Sequence, residues 1–180
     1  MAQYFVRHGQ TPWNAEKRIM GHADISLNDE GRRQTEKVRD QLAETAFAAI
    51  IVSPLLRARE TAEIIAQSHP DTPLIVASEL KERDFGEYEG RVNDGNYFGL
   101  WNYSKDIIEQ GETTVQLLAR VSSFLDTIQE KYSDSDILLV AHGGVGVTVE
   151  AYYHGLPEDG NLLTYVSGNG EVRCYESRER

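Results

Sequence analysis

The sequence predicts an α/β protein: a three-layer α/β/α arrangement around a mostly parallel central sheet. Two observations carry this. Four short apolar runs, around Tyr4–Val6, Phe47–Val52, Leu74–Ala77 and Ile137–Val140, have the length and residue types of strands, the first two of them of buried ones. Between them lie segments of helical period, so strands and helices alternate, as they do when parallel strands are joined by crossover helices. With 180 residues, one domain spanning 1–180 with a single sizeable core is the expectation.

In chain order, the run at Tyr4 stops at Arg7-His8-Gly9. Thr11-Pro12 then opens a short helix, with Thr as N-cap and Pro at the first helical position. After a loop, Asn28 caps a helix to about Glu44, with Asp29 and Glu30 in its first turn and an apolar stripe of Val38, Leu42 and Thr35. The second strand gives way to Ser53-Pro54, which signals a helix start. That helix runs to about Ser68 with Leu55, Ala58, Ala62 and Ile65 on one face. Residues 81–112 carry Gly, Asn and aromatic residues without a period. They are expected to form a long functional loop, with one short helix around Leu100–Asp106. Thr113 or Thr114 caps a long helix to about Tyr132, with Val115, Leu118, Val121, Leu125 and Ile128 as its stripe. After the fourth strand come His142-Gly143-Gly144 and a helix ending near His154-Gly155. Leu162–Val166 and Glu171–Tyr175, joined by Ser167-Gly168-Asn169-Gly170, predict a closing β-hairpin.

The bulk properties exclude several classes. A net charge of −11 argues against a general nucleic-acid or acidic-membrane surface, but not against a small anion held by a few cations in one pocket. No apolar run approaches the ~20 residues a membrane span needs. The N-terminus carries no basic segment followed by an apolar one, and Cys174 is the single cysteine. A cytoplasmic protein is expected. A metal centre is not, because no His-x-x-x-His pair or cysteine cage is present.

Three of the strands end in polar residues at a helix start: Val6 into Arg7-His8, Val52 into Ser53 and Arg57, and Val140 into His142-Gly143-Gly144. As parallel neighbours they would bring two histidines and two arginines to one sheet edge, where ligands bind in open α/β sheets. A phosphoryl group needs such a set of fixed donors. Each piece alone is more often structural, since a histidine after a strand commonly packs as an ordinary residue. Arg57 says more, because a cation in the first turn of a helix opposes the dipole unless an anion sits there. Arg59 fits the same argument.

The joint pattern decides. Arg7-His8-Gly9-Gln10-Thr11 with Asn14, Gly21-His22-Ala23-Asp24 to Gly31, Ser53-Pro54-Leu55 with Arg57, Leu80-Lys81-Glu82 with Phe85-Gly86 and Glu89-Gly90, and Ala141-His142-Gly143-Gly144 occur in order along most of the chain. Together they resemble the signature motifs of the histidine phosphatase superfamily, the phosphoglycerate mutase-like proteins of branch 1. The resemblance implies the phosphoglycerate mutase-like fold and a phosphohistidine mechanism. His8 would be the nucleophile and Glu82 the proton donor. Arg7, Arg57 and His142 would be phosphate clamps and transition-state stabilisers, and Asn14, Gly21 and Gly143 further substrate contacts. On the residues alone, Asp84 and Glu87 compete with Glu82, and the run Lys81-Glu82-Arg83-Asp84 looks like a solvated charge cluster. The resemblance implies no cofactor.

The substrate expected is a small phosphorylated metabolite, with neither nucleic acid nor membrane as partner. An exposed edge on the C-terminal hairpin would allow a homodimer. Residues 91–112 are expected to act as a small lid or specificity insertion. They are short for a phosphoglycerate mutase and offer only Arg91 and Lys105 as cations, which favours a phosphatase over an isomerase. The aromatics Tyr97, Phe98, Trp101 and Tyr103 either line a pocket for a less polar leaving group or pack the loop. A third reading, a non-catalytic module that binds phosphorylated partners, would not need both His8 and Glu82.

Overall fold

The structure is a computed structural model that describes residues 2–93, 95, 98–103 and 108–176. A five-stranded sheet has the order β3-β2-β4-β1-β5. Its strands are β1 (Ala2–Arg7), β2 (Ala49–Val52), β3 (Leu74–Val76), β4 (Ile137–Ala141) and β5 (Val172–Glu176). Four run parallel, and β5 alone is antiparallel, against β1. The α/β class and the mostly parallel sheet match the expectation.

The central strands β2 and β4 are buried at every position. Alternate residues therefore face two different cores. Phe5, Ile51, Leu139 and their neighbours pack under α4 (Thr114–Lys131) and α5 (Gly143–His154). Val6, Ile50, Val52, Leu138 and Val140 pack under α2 (Asp29–Leu42) and α3 (Leu56–Ala66). These helix pairs are the two outer layers.

The first helix, α1 (Pro12–Ala15), has the expected Thr11 cap, and Asn14 completes a capping box with it. It ends in a Schellman motif: Arg18 N–H donates to Trp13 O at 2.8 Å and Lys17 N–H to Asn14 O at 3.1 Å. Lys17 thereby takes φ 57°, a left-handed conformation that disfavours any residue with a Cβ. Lys17→Gly is expected to raise stability by a few tenths to about 1 kcal/mol, the relieved strain exceeding the added chain entropy of glycine. A higher urea midpoint checks this, and an unchanged or lower one contradicts it.

Four local expectations need correction. The helix after β2 starts at Leu56, not at Ser53-Pro54, because Asp24 Oδ1 reaches in from a distant loop and accepts the Leu56 N–H at 2.6 Å. In α4 the first turn buries Thr114 and Leu117, while Val115 is 57 % exposed, so the stripe is shifted by one residue there. The closing hairpin does not form. Residues Leu162–Tyr165 are a 3-10 turn capped by Asn161, and β5 pairs with β1 instead. The short helix expected near Leu100 is a 3-10 turn at Phe98–Trp101. Tyr97 and Lys105 lie outside the described residues, as does the side chain of Phe98. Among the described residues, no helix is long and apolar enough to cross a membrane.

Candidate active site

Because β1, β4 and β2 are parallel neighbours, their C-terminal ends open on one edge. His8, just past β1, is tied to the end of β4 by its N–H to Ala141 O, at 2.9 Å. The loop after β1 can sit this low on α2 because Gly9 and Gly31 lie in backbone contact. A Cβ on Gly31 would overlap the Gln10 carbonyl.

The side chain of His8 is 1 % exposed. Its Nδ1 lies 2.8 Å from Gly9 O, and a carbonyl can only accept, so the ring proton is on Nδ1. The Nε2 lone pair then accepts from Arg57 Nε at 3.2 Å. Burial first, then the Arg57 and Arg7 guanidinium groups, hold His8 well below the ordinary imidazole value. The structure thus presents a neutral imidazole with Nε2 as its free base.

Arg57, the second residue of α3, is fully buried. Its Nη1 and Nη2 donate to the carbonyls of Ala23 and Gly21, both at 2.8 Å. Burial lowers its pKa to about 10, against the pull of Glu82 and Asp24, which leaves it a cation at neutral pH. Arg59 pairs instead with Glu63 at the surface, so of the two arginines it is Arg57 that reaches His8. Arg7 donates from Nη1 to Ser167 O, and its buried Nε has no partner among the described residues. Its guanidinium lies beside the Gly143 backbone.

His142, at the N-cap of α5, is fully buried, with its ring centroid 5.2 Å from that of His8. Its Nε2 is 2.7 Å from Ser53 Oγ, and its buried Nδ1 has no partner among the described residues. Burial first, then the Arg57 and Arg7 guanidinium groups, push His142, too, well below its ordinary value.

Glu82 belongs to no solvated charge cluster. Glu82 and Arg83 are buried, at 8 % and 0 % exposure, which corrects the reading of that run as a surface feature. The Arg83 and Gly144 N–H groups donate to Glu82 Oε1 at 2.9 and 3.0 Å. A Cβ on Gly144 would overlap that oxygen, so glycine there lets the start of α5 approach the carboxyl without displacing it. Arg83 donates to the carbonyls of Glu112 and Leu100 and lies over the Phe85 and Trp101 rings, tying Leu100, Trp101 and Glu112 to the pocket wall.

Arg7, His8, Asn14, Gly21, Glu82 and Gly143 line one cavity of about 210 Å³. Arg57 and His142 join it through His8. A larger groove of about 610 Å³ lies near Lys81, Asp84 and Glu112. Its arginine, Arg120, is already committed to Glu112 and to the carbonyls of Glu79 and Lys81, so we place the chemistry in the smaller cavity. Among the described residues no group of His, Cys, Asp and Glu is arranged to hold a metal ion.

One residue near the site, Glu89, escapes a reading of the sequence as a string, whereas Ser53 stands where the strand-end pattern puts it. Glu89 accepts from the N–H groups of His22 and Ala23, at 2.8 and 3.1 Å, and so fixes the loop whose carbonyls aim Arg57. Glu89 has no signal beyond the motif it sits in, since an acid among acids looks solvated.

The buried histidines predict a pH effect. Unfolded, each takes up a proton near pH 6.5, whereas folded it stays neutral to a much lower pH. Below about pH 6.5 the unfolded state binds more protons, so stability falls as pH falls, by up to about 1.4 kcal/mol per pH unit for each histidine, and levels off below the folded values. Urea midpoints between pH 7.5 and 5.5 should drop for the wild type and drop less for His8→Gln. Equal slopes would contradict the assignment.

A family model described as the histidine phosphatase superfamily (branch 1) matches residues 3–179. Among curated proteins, the chain is 36 % identical over 150 residues to phosphoglycerate mutase-like protein 4 of Arabidopsis thaliana, covering 78 % of this chain and 65 % of that protein. It is 34 % identical over 138 residues to the uncharacterized phosphatase PhoE of Bacillus subtilis, covering 77 % and 69 %. The chain thus spans about two thirds of the length of these relatives. Among solved structures, a variant of phosphoserine phosphatase from Entamoeba histolytica in complex with phosphoserine superposes with a TM-score of 0.85. That match has 25 % identity and covers 98 % of this chain and 91 % of that one.

Proposed function

Because the chain belongs to branch 1 of the histidine phosphatase superfamily, we propose that it hydrolyses a small phosphomonoester through a phosphohistidine on His8. The observation that carries this reading is the tautomer of His8, whose unprotonated Nε2 opens into a cavity walled by cations and by Glu82.

In this mechanism the phosphoryl group displaces the Arg57 Nε–H from His8 Nε2 and takes that hydrogen bond itself. Nε2 attacks phosphorus, an N–P bond forms and the ester P–O bond breaks. Glu82 gives a proton to the departing oxygen. Water then attacks the phosphohistidine and Glu82 takes a proton from it, so that phosphate leaves and His8 is restored. Arg7, Arg57, Asn14 and His142 hold the three phosphoryl oxygens and offset the charge that spreads over them in transfer. We assign the Ser53 hydroxyl as donor to His142 Nε2, which puts the His142 proton on Nδ1 and aims it at the substrate. A bound anion favours a second proton on that ring.

Beyond His8 the cavity carries Ile19, Met20, Phe85, Leu100, Trp101 and Leu163, together with Asn93 and with Arg18, which Glu16 and the Gly90 carbonyl engage. Arg91, the cation retained from the 91–112 region, is engaged by Glu87 at 2.7 Å. Such a wall suits a leaving group with an apolar body and gives little hold on a second anionic group, which favours hydrolysis over the mutase reaction. From the segment 91–112, taken here as a lid, Asn93, Leu100 and Trp101 line the cavity. The name of the Arabidopsis relative supports the other reading, an isomerase using the same His8. A screen of aryl, alkyl, sugar and nucleotide phosphomonoesters is expected to show phosphate release, fastest for the apolar esters. Incubation with 3-phosphoglycerate, with and without 2,3-bisphosphoglycerate, decides the alternative. Isomerisation faster than phosphate release would overturn the phosphatase reading.

A further inference from the structure

The segment that precedes β5, Ser167-Gly168-Asn169-Gly170, has the composition of a turn, yet it touches three residues of the cavity. Ser167 O accepts from Arg7 Nη1, and Gly170 N–H donates to Arg7 O at 3.0 Å. Asn169 Nδ2 donates to His8 O at 3.0 Å and to Asn14 Oδ1 at 3.3 Å. The segment is itself braced: Gly168 N–H donates to Glu171 Oε2 at 2.6 Å, and Arg173 Nε holds the other oxygen of that carboxylate at 2.7 Å.

The consequence for Asn14 is specific. Its Oδ1 accepts from the Thr11 N–H at 3.1 Å as well as from Asn169. An amide nitrogen in that place would face two N–H donors, so the network fixes which end of the side chain is oxygen. The Asn14 NH₂ group is thereby turned the other way, and Asn14 lines the cavity. Thr11 places its N–H and its Oγ1 on that oxygen from the N-cap of the same helix. Asn169 adds a donor from 155 residues away and links the oxygen to the main chain of His8.

We infer that Asn169 is a positioning residue, which holds the Asn14 amide N–H toward the phosphoryl oxygens and locks it to the backbone of His8. The inference rests on the phosphohistidine reading of the cavity. Its substrate interaction is through Asn14, not direct.

The test reads binding of inorganic phosphate by calorimetry, together with KM and kcat on a phosphomonoester that the wild type cleaves. It uses the wild type, Asn14→Ala, Asn169→Ala and the double variant. Loss of one neutral hydrogen bond to the anion is expected to weaken phosphate about 3- to 10-fold in either single variant, with KM raised more than kcat is lowered. The double variant should be no weaker than Asn14→Ala, since Asn169 acts through that amide. Asn169→Asp, which places an acceptor against two oxygens, should weaken phosphate further than Asn169→Ala. Losses that add in the double variant, or wild-type affinity in Asn169→Ala, would overturn the role. If thermal melts show that Asn169→Ala is unfolded, Asn169→Ser runs the same cycle with the same expectation. Failure of the wild type to bind phosphate would sink the reading of the cavity itself, and it is visible without any variant.

Discussion

His8→Ala is expected to lower phosphatase turnover by about 10⁴-fold or more, the scale seen when the nucleophile of a covalent mechanism is removed. Two features make the effect this large. The His8 Nε2 lone pair is held ready by the Nδ1 bond to Gly9 O, and burial keeps the ring neutral, so the base needs no prior loss of a proton. No second imidazole can take over, because His142 presents its Nε2 to Ser53 and sits at the start of another helix. The variant should still bind phosphate, since Arg7, Arg57 and Asn14 remain. Brief incubation with a radiolabelled phosphomonoester should leave an acid-labile, alkali-stable label on the wild type and none on His8→Ala. Turnover within a few-fold of wild type would place the nucleophile elsewhere, and a non-catalytic phosphate-binding module would then be the better account.

The second large effect is expected from Glu82→Gln, a fall in kcat of about 10²- to 10⁴-fold with phosphate affinity nearly unchanged. The substitution is close to isosteric. The Arg83 and Gly144 N–H groups both donate to Oε1, and a glutamine carbonyl in that place keeps both bonds. What is lost is the ability to carry a proton to the leaving oxygen and to take one from water. A substrate with a leaving group that needs no proton, such as an activated aryl phosphate, should regain much of the first step but not the second. Label should then accumulate on His8. Equal losses on activated and unactivated esters, without accumulation, would remove Glu82 from the donor role.

Much of the fold was legible from local pattern. The buried runs at Tyr4, Phe47 and Ile137 admit few other readings, and Thr11, Asn28 and Thr113 each cap the helix expected of them. The failures share a cause. The helix after β2 begins at Leu56 because Asp24, from another loop, caps it, which no window around Ser53-Pro54 contains. The first turn of α4 buries Thr114 rather than Val115 because Thr114 Oγ1 donates to Leu100 O at 3.2 Å, across 14 residues. Both stripes satisfy the helical period, and only the neighbour chooses. The run Leu162–Val166 has the composition of a strand, but β5 already occupies the edge of β1, and Asn161 turns the chain into a 3-10 helix.

The sequence by itself determined which chemical groups are available and in what order: an Arg-His pair after one strand, an arginine in the first turn of a helix after the next, a His-Gly-Gly after a third. Parallel neighbours with aligned ends do the rest, so the gathering of Arg7, His8, Arg57 and His142 was readable before any coordinate. The tertiary structure alone decided how those groups are poised. The protonated nitrogen of His8 follows from one carbonyl, and the direction of Arg57 from two carbonyls that Glu89 holds in place. The place of Glu82 within a charged run is set by the start of α5, whose Gly144 N–H, 62 residues away, donates to its carboxyl. The part played by Asn169 depends on a contact spanning nearly the whole chain. Local propensity sees neighbours along the backbone, whereas a proton's location and a side chain's aim are set by whichever partner folding brings within about 3 Å.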